Sequence, residues 1–166
     1  MNKDFLIREY QTEDYSQICL LMEDFQAYLA ALDSRQMIIV DENFGQRYVD
    51  ETLKALIKDN GKFWVILAEE KIIAFAIGII PNSENPFHTI GYKPKKEGII
   101  TELFVAKEYR GQGLGKKLIT IIEQYFRENN CNYSRLAVMR DNREAHQAYL
   151  KMGFQDQTIE MVRRIG

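Results

Sequence analysis

The chain has little of several things: two cysteines, three prolines, two histidines and one tryptophan among 166 residues. Cys19 and Cys131 lie far apart, and neither sits in a Cys/His cluster, so neither a disulfide framework nor a zinc site is indicated. Both read as small buried apolar residues rather than nucleophiles. No excess of one charge exists: 22 basic residues face 24 acidic ones, for a net charge of −2. That balance excludes a general electrostatic footprint for nucleic acid. No apolar run approaches the ~20 residues that span a bilayer. The opening MNKDFLIREY lacks the apolar core of a signal peptide. These absences set the expectation of a reduced, cytoplasmic protein without membrane or nucleic-acid partner. What is there is ordinary: 46% apolar and 28% charged residues, in a length that suits one domain over residues 1–166.

The periodicities predict an α/β pattern. FLIREY (5–10) reads as a strand, with Thr12 as the N-cap of a helix carrying Ile18, Leu21, Met22, Phe25, Tyr28, Leu29 and Leu32. A second helix carries Phe44, Tyr48, Leu53, Leu56 and Ile57 and ends near Asn60-Gly61. KFWVILAEEKIIAFAIGII reads as two strands around a tight turn at Glu69-Glu70. All three prolines fall in 81–98, an exposed excursion that also holds His88, read as solvated rather than catalytic. IITELFVA is a strand, followed by a helix with Leu114, Leu118, Ile121, Ile122 and Tyr125 on one stripe. SRLAVM is a short strand. Asn142 caps a helix that ends at Gly153, with Phe154 folding back, and TIEMVRRI is a last alternating strand.

The stretch YRGQGLGKKL (109–118) raises a question of cost. Glycine there forfeits about a kcal/mol relative to alanine, and lysines in a first helical turn oppose the dipole by roughly 0.3–1 kcal/mol each. A bound polyanion would make both favourable. The Walker pattern fails, because no hydroxyl residue follows the lysines. The dinucleotide pattern G-x-G-x-x-G fails because Lys116 stands where the third glycine belongs, and no acid follows about 20 residues on. What remains is R-x-x-G-x-G: Arg110, Gly113 and Gly115, between a strand and a helix. Backbone N–H groups converging on phosphate oxygens suit that arrangement; so does a plain strand-to-helix turn with solvated lysines.

ELFVAKEYRGQGLGKKLI, with Val105 shortly before the glycines, resembles the acetyl-CoA-binding core of the GNAT-type N-acetyltransferases. DNREAHQAYLKMGF resembles that family's N-x-x-A-x-x-x-Y-x-x-x-G-F segment through Asn142, Ala145, Tyr149, Gly153 and Phe154. The resemblance is specific over 99–155 and rests on element order elsewhere. It implies a mixed, largely antiparallel sheet of six to seven strands with about four helices. Two central strands, IITELFV and SRLAVM, would splay to hold acetyl-CoA, and no metal is implied.

The same resemblance implies site residues. Main-chain groups of Leu103, Phe104 and Val105 would pair with pantetheine amides. The pyrophosphate would meet the N–H groups of Arg110, Gly111, Gln112, Gly113, Leu114 and Gly115, with Lys116 near. Arg110 serves equally well as phosphate ligand or as a clamp for its own loop. Tyr149 matches the family's general acid, although by spacing alone it is an aromatic on an apolar face. Glu102 is the candidate base, or else an ordinary solvated or salt-bridged glutamate. Asn142 caps its helix and can also touch the cofactor, beside the small Ala145. The acceptor would be an amine of a small molecule or protein, and paired subunits are common in the family. Asp33, Asp41 and Glu42 in LDSRQMIIVDENF offer steering for a cationic acceptor, or are a solvated loop. Two other readings compete: a non-catalytic acyl-CoA-binding module and a nucleotide-binding α/β domain.

Overall fold

The apolar runs FWVIL and IIAFAI decide where the centre lies, because a strand with no polar face must be covered on both sides. The computed structural model describes residues 4–82 and 95–165. Five strands appear among them: β1 (Phe5–Glu9), β2 (Lys62–Ala68), β3 (Lys71–Ile79), β4 (Glu97–Val105) and β5 (Tyr133–Leu136). They form one sheet in the order β1-β2-β3-β4-β5, antiparallel except for the parallel pair β4–β5. The described helices are α1 (Tyr15–Leu32), α2 (Phe44–Lys58), α3 (Leu114–Glu128) and α4 (Arg143–Lys151).

Alternation along β2 and β3 assigns the two faces. Phe63, Val65, Phe75 and Ile77 pack with Ile18 and Met22 of α1 and Val49 of α2. Trp64, Ile66, Ile73 and Ala76 pack with Leu118, Ile122 and Phe126 of α3. α3 is the crossover that a parallel β4–β5 pair requires. Its Phe126 ring lies on the backbone of β4 at Gly98, where any β-carbon would run into the ring. Burying such a ring contributes about 1.5–3 kcal/mol.

The element order agrees with the sequence reading, with three corrections. The sheet has five described strands rather than six to seven. TIEMVRRI forms no ladder: Ile159, Met161 and Ile165 stay 85–88% exposed. An alternating segment becomes a strand only when a neighbouring strand pairs with it, and no strand among the described residues forms a ladder with this one. Nor does Thr12 cap α1. It opens a short 3-10 turn, Thr12–Asp14, and α1 begins at Tyr15. Asp14 displaces it as the anchor, because Arg8 forks onto its carboxylate at 2.6 and 2.8 Å and the Gln11 N–H donates at 2.8 Å. The expected excursion at 81–98, with His88, lies mostly outside the described residues.

Candidate functional site

The site begins with one extra residue in β4. Ile99 and Ile100 pair with Ile79 and Gly78, but Glu102 pairs with Ile77, so Thr101 is a bulge. A bulge resets which side chains share a face. Gly98 and Ile100 face α3; past the bulge Leu103 and Val105 take that side. Glu102 and Phe104 are thereby turned to the α1/α2 face. In an unbulged strand Glu102 would share its face with Ile100.

The same irregularity marks where β5 parts from β4. The ladder pairs Glu97–Ile100 with Tyr133–Leu136 and stops. From Thr101 to Val105 the edge of β4 has no strand partner among the described residues, as the splayed strands implied. Ala106 N–H donates to the Ile73 carbonyl at 2.8 Å, which makes that pair a hydrogen-bonded one. By the alternation of antiparallel ladders, the main-chain groups of Phe104 then point to β3 and those of Leu103 and Val105 to the open edge. Of the three residues expected to pair with pantetheine, Phe104 is therefore turned away.

At the end of this edge a 3-10 turn, Lys107–Tyr109, leads into the glycine loop. Gly111 and Gly113 both have φ +75°, a region that side chains adopt at a cost, and open space lies where their β-carbons would be. Gly113 is the N-cap of α3 and no side chain caps that end. The N–H groups of Leu114, Gly115 and Lys116 thus lack intrahelical partners and carry the positive end of the helix. Arg110 contributes differently. Its N–H donates to the Lys107 carbonyl at 3.3 Å, and its Nε donates to the Val105 carbonyl at 3.0 Å. Its guanidinium lies 4.3 Å from the centre of the Tyr28 ring and 5.6 Å from that of Phe104. This is the clamp geometry among the two roles the sequence left open.

α4 stands across the gap. Asn142 Oδ1 accepts from Ala145 N–H at 3.3 Å, the expected cap, and from the Tyr28 hydroxyl at 3.1 Å. Ser34 Oγ donates to Asp141 at 2.7 Å, a second tie between the end of α1 and the start of α4. Gly153, at φ +96°, closes the helix, and the Phe154 ring meets Tyr149 edge-on at 6.0 Å. Burial, aided by Tyr28, pushes the Tyr149 phenol up to about 12.

Glu102 accepts a hydrogen bond from the Tyr48 hydroxyl. Burial raises its carboxyl to about 7, and the Tyr48 hydrogen bond opposes that rise. Burial and the neighbouring carboxylate together push the Tyr48 phenol up. Tyr48 and Tyr28 are the two participants that sequence reasoning missed. Both read as members of apolar helical stripes, and no local spacing ties Tyr48 to a glutamate 54 positions away.

Two of the three carboxylates considered for steering a cation, Asp33 and Asp41, are engaged elsewhere. Asp33 is buried and accepts from the N–H groups of Arg35, Met37 and Ile38 at 3.0, 2.6 and 2.9 Å. Asp41 pairs with Arg47 at 2.5 Å, and Glu42 is exposed. Cys19 is buried and Cys131 half-buried, and burial pushes both thiols up, against thiolate formation. Among the described residues no three His, Cys, Asp or Glu side chains converge, and no helix is long and apolar enough to cross a membrane.

Comparison with known proteins agrees with this fold. The sequence pattern of the acetyltransferase (GNAT) family matches residues 18–154. Thialysine N-epsilon-acetyltransferase of Bos taurus is 37% identical over 59 residues, 36% of this chain and 35% of the relative. An uncharacterized N-acetyltransferase of Methanocaldococcus jannaschii is 41% identical over 63 residues, 37% of this chain and 40% of that one. These matches span little more than a third of each curated relative. Among solved structures, a tetramutant of the BH1408 protein of Bacillus halodurans superposes with a TM-score of 0.81 at 20% identity, covering 96% of this chain and 99% of that one. The aminoglycoside N-acetyltransferase AAC(6')-Iy in complex with CoA gives 0.70 at 14% identity, covering 99% and 97%. At such identities the likeness is one of fold.

Proposed function

The chain belongs to the acetyltransferase (GNAT) family, and from that premise we propose that it transfers the acetyl group of acetyl-CoA to a primary amine by direct attack. The observation that carries this reading is the open edge of β4, running straight into an uncapped, glycine-lined helix N-terminus. An extended chain of amides ending in a pyrophosphate fits that combination. Main-chain groups of Leu103 and Val105 would take the amides. The N–H groups from Gly111 to Gly115 and the exposed Lys116 would take the phosphates. Asn142 and the small Ala145 of α4 would meet the cofactor from the other side of the gap.

The chemistry needs a base, an oxyanion site and an acid. Glu102 takes a proton from the amine as the new C–N bond forms at the thioester carbon. A carboxyl near 7 is half ionised at neutral pH, where a general base works best. An N–H of the open β4 edge would stabilise the oxygen that gains charge. As the C–S bond breaks, Tyr149 gives its hydroxyl proton to the leaving thiolate. Its phenol is fully protonated at neutral pH. The burial that weakens it as an acid would also raise the proton affinity of a thiolate brought beside it. Solvent then reprotonates the phenolate and removes the proton held on Glu102.

The acceptor is an amine of a small molecule or of a protein. The test is release of free thiol from acetyl-CoA in the presence of a panel of polyamines, aminoglycosides, amino acids and peptides. Amine-dependent release is expected. In Tyr149→Phe, kcat should fall by roughly 10²–10⁴ with acetyl-CoA affinity retained. Tight acetyl-CoA binding without release on any amine would point to a binding module instead.

A further inference from the structure

We propose that Tyr48 is a positioning residue for this site: its hydroxyl anchors Glu102 Oε1 and so presents Oε2 as the acceptor of the amine's proton. This rests on the reading of Glu102 as the base.

Several independent features of the chain converge on the contact. The bulge at Thr101 turns Glu102 onto the α2 side of the sheet. Gly45, where a β-carbon would run into the Cys19 carbonyl, lets α2 close onto α1. Val49, on the inner face of α2, is fully buried, and the Phe44 ring stacks on Tyr48 at 5.2 Å. The phenol therefore reaches Glu102 from a helix held at close range. No arginine, lysine or histidine pairs with Glu102 among the described residues. The neighbours of Glu102 on β4, Leu103 and Thr101, and its β3 partner Ile77 carry no charge. Among the described residues Tyr48 is the titratable group acting on it, from α2; none acts from α1, β3 or α4.

The consequence is chemical as well as geometric. A hydroxyl that donates to a carboxylate favours the ionised form, so Tyr48 holds back the effect of burial and keeps Glu102 usable near neutral pH. It also removes rotational freedom from a side chain that would otherwise have to be ordered in the transition state. A lysine or arginine at this place would ionise Glu102 fully and weaken it as a base. A phenol does so only in part.

The experiment compares wild type, Tyr48→Phe and Glu102→Gln. Phenylalanine keeps the stacking on Phe44, so Tyr48→Phe should fold. Two measurements are made: the Glu102 side-chain carboxyl carbon is titrated by NMR in the substrate-free protein, and kcat/KM is followed from pH 5.5 to 9 with acetyl-CoA and the best amine. In Tyr48→Phe the carboxyl midpoint and the acid limb of kcat/KM should both move up by about one pH unit. That means roughly tenfold lower kcat/KM below the limb, with KM for acetyl-CoA unchanged. A midpoint that does not move, or a kcat loss equal at every pH, overturns the role of Tyr48. If Glu102→Gln keeps full activity, the base assignment falls, and the proposal with it, whatever the NMR midpoint shows of the hydrogen bond. Loss of activity in Glu102→Gln with an unmoved limb in Tyr48→Phe removes the proposal alone.

Discussion

The guanidinium of Arg110 lies 4.3 Å from the centre of the Tyr28 ring, and the same tyrosine's hydroxyl donates to Asn142. One side chain of α1 thus ties the glycine loop to the cap of α4, across the gap in the sheet. The two halves of the proposed acetyl-CoA site are held to each other through a helix that lies outside both motifs.

Removing that tie should loosen both halves. Arg110→Ala loses a stacked cation and a hydrogen bond to the Val105 carbonyl, together about 1–2 kcal/mol. A drop in melting temperature of about 3–6 °C is expected, together with weaker acetyl-CoA binding. Arg110→Lys should recover little, since an ammonium cannot stack and bridge as the planar fork does. Unchanged affinity in Arg110→Ala would show that the loop holds its shape alone.

Gly115 separates fold from function. It lies in the first turn of α3 without positive φ, and a β-carbon there would make an ordinary 3.8 Å contact with Leu103. Alanine should therefore leave the fold unchanged or stabilise it by up to about 1 kcal/mol. The same methyl would crowd phosphate oxygens approaching the helix N-terminus. Calorimetry should find acetyl-CoA binding weakened about tenfold, a loss of about 1.4 kcal/mol, while thermal denaturation shows no loss. Equal affinity would mean that the phosphates sit elsewhere.

The pH dependence follows from Glu102. Its carboxyl is raised to about 7 from an ordinary 4.5. As a base it acts when ionised, so kcat/KM should rise with pH through about 7 and level above it. The stability effect has the opposite sense. Because the folded protein keeps this proton to higher pH than the unfolded chain, stability should fall as pH rises from about 4.5 to 7. Glu102→Gln should remove both dependences, seen in pH–rate profiles and in melting temperature against pH. A flat wild-type profile between pH 6 and 8 would contradict the assignment.

Much of this was legible in the residues. The two-face burial of β2 and β3 is written in FWVIL and IIAFAI, and Asn142 and Gly153 bound α4 as their types require. What escaped was non-local. A bulge has no marker in IITELFV, so the face of Glu102 could not be read from alternation. Tyr28 and Tyr48 looked like stripe residues because a helical period reports which side is buried and not what a hydroxyl meets there. The tail TIEMVRRI shows the converse: alternation alone, without a partner edge, makes no strand.

The most direct measurement is a calorimetric titration of the folded protein with acetyl-CoA, repeated on Gly113→Val. Saturable binding of one molecule per chain is expected, accompanied by a rise in melting temperature; ligand at ~100 times its dissociation constant adds about 2.7 kcal/mol to the folded state. In Gly113→Val, a branched side chain at φ +75° enters the open space of the loop, and the binding should be lost while the variant still melts cooperatively. Absence of any acetyl-CoA binding to the folded wild-type chain would contradict the assignment of the β4 edge and the glycine loop as its site.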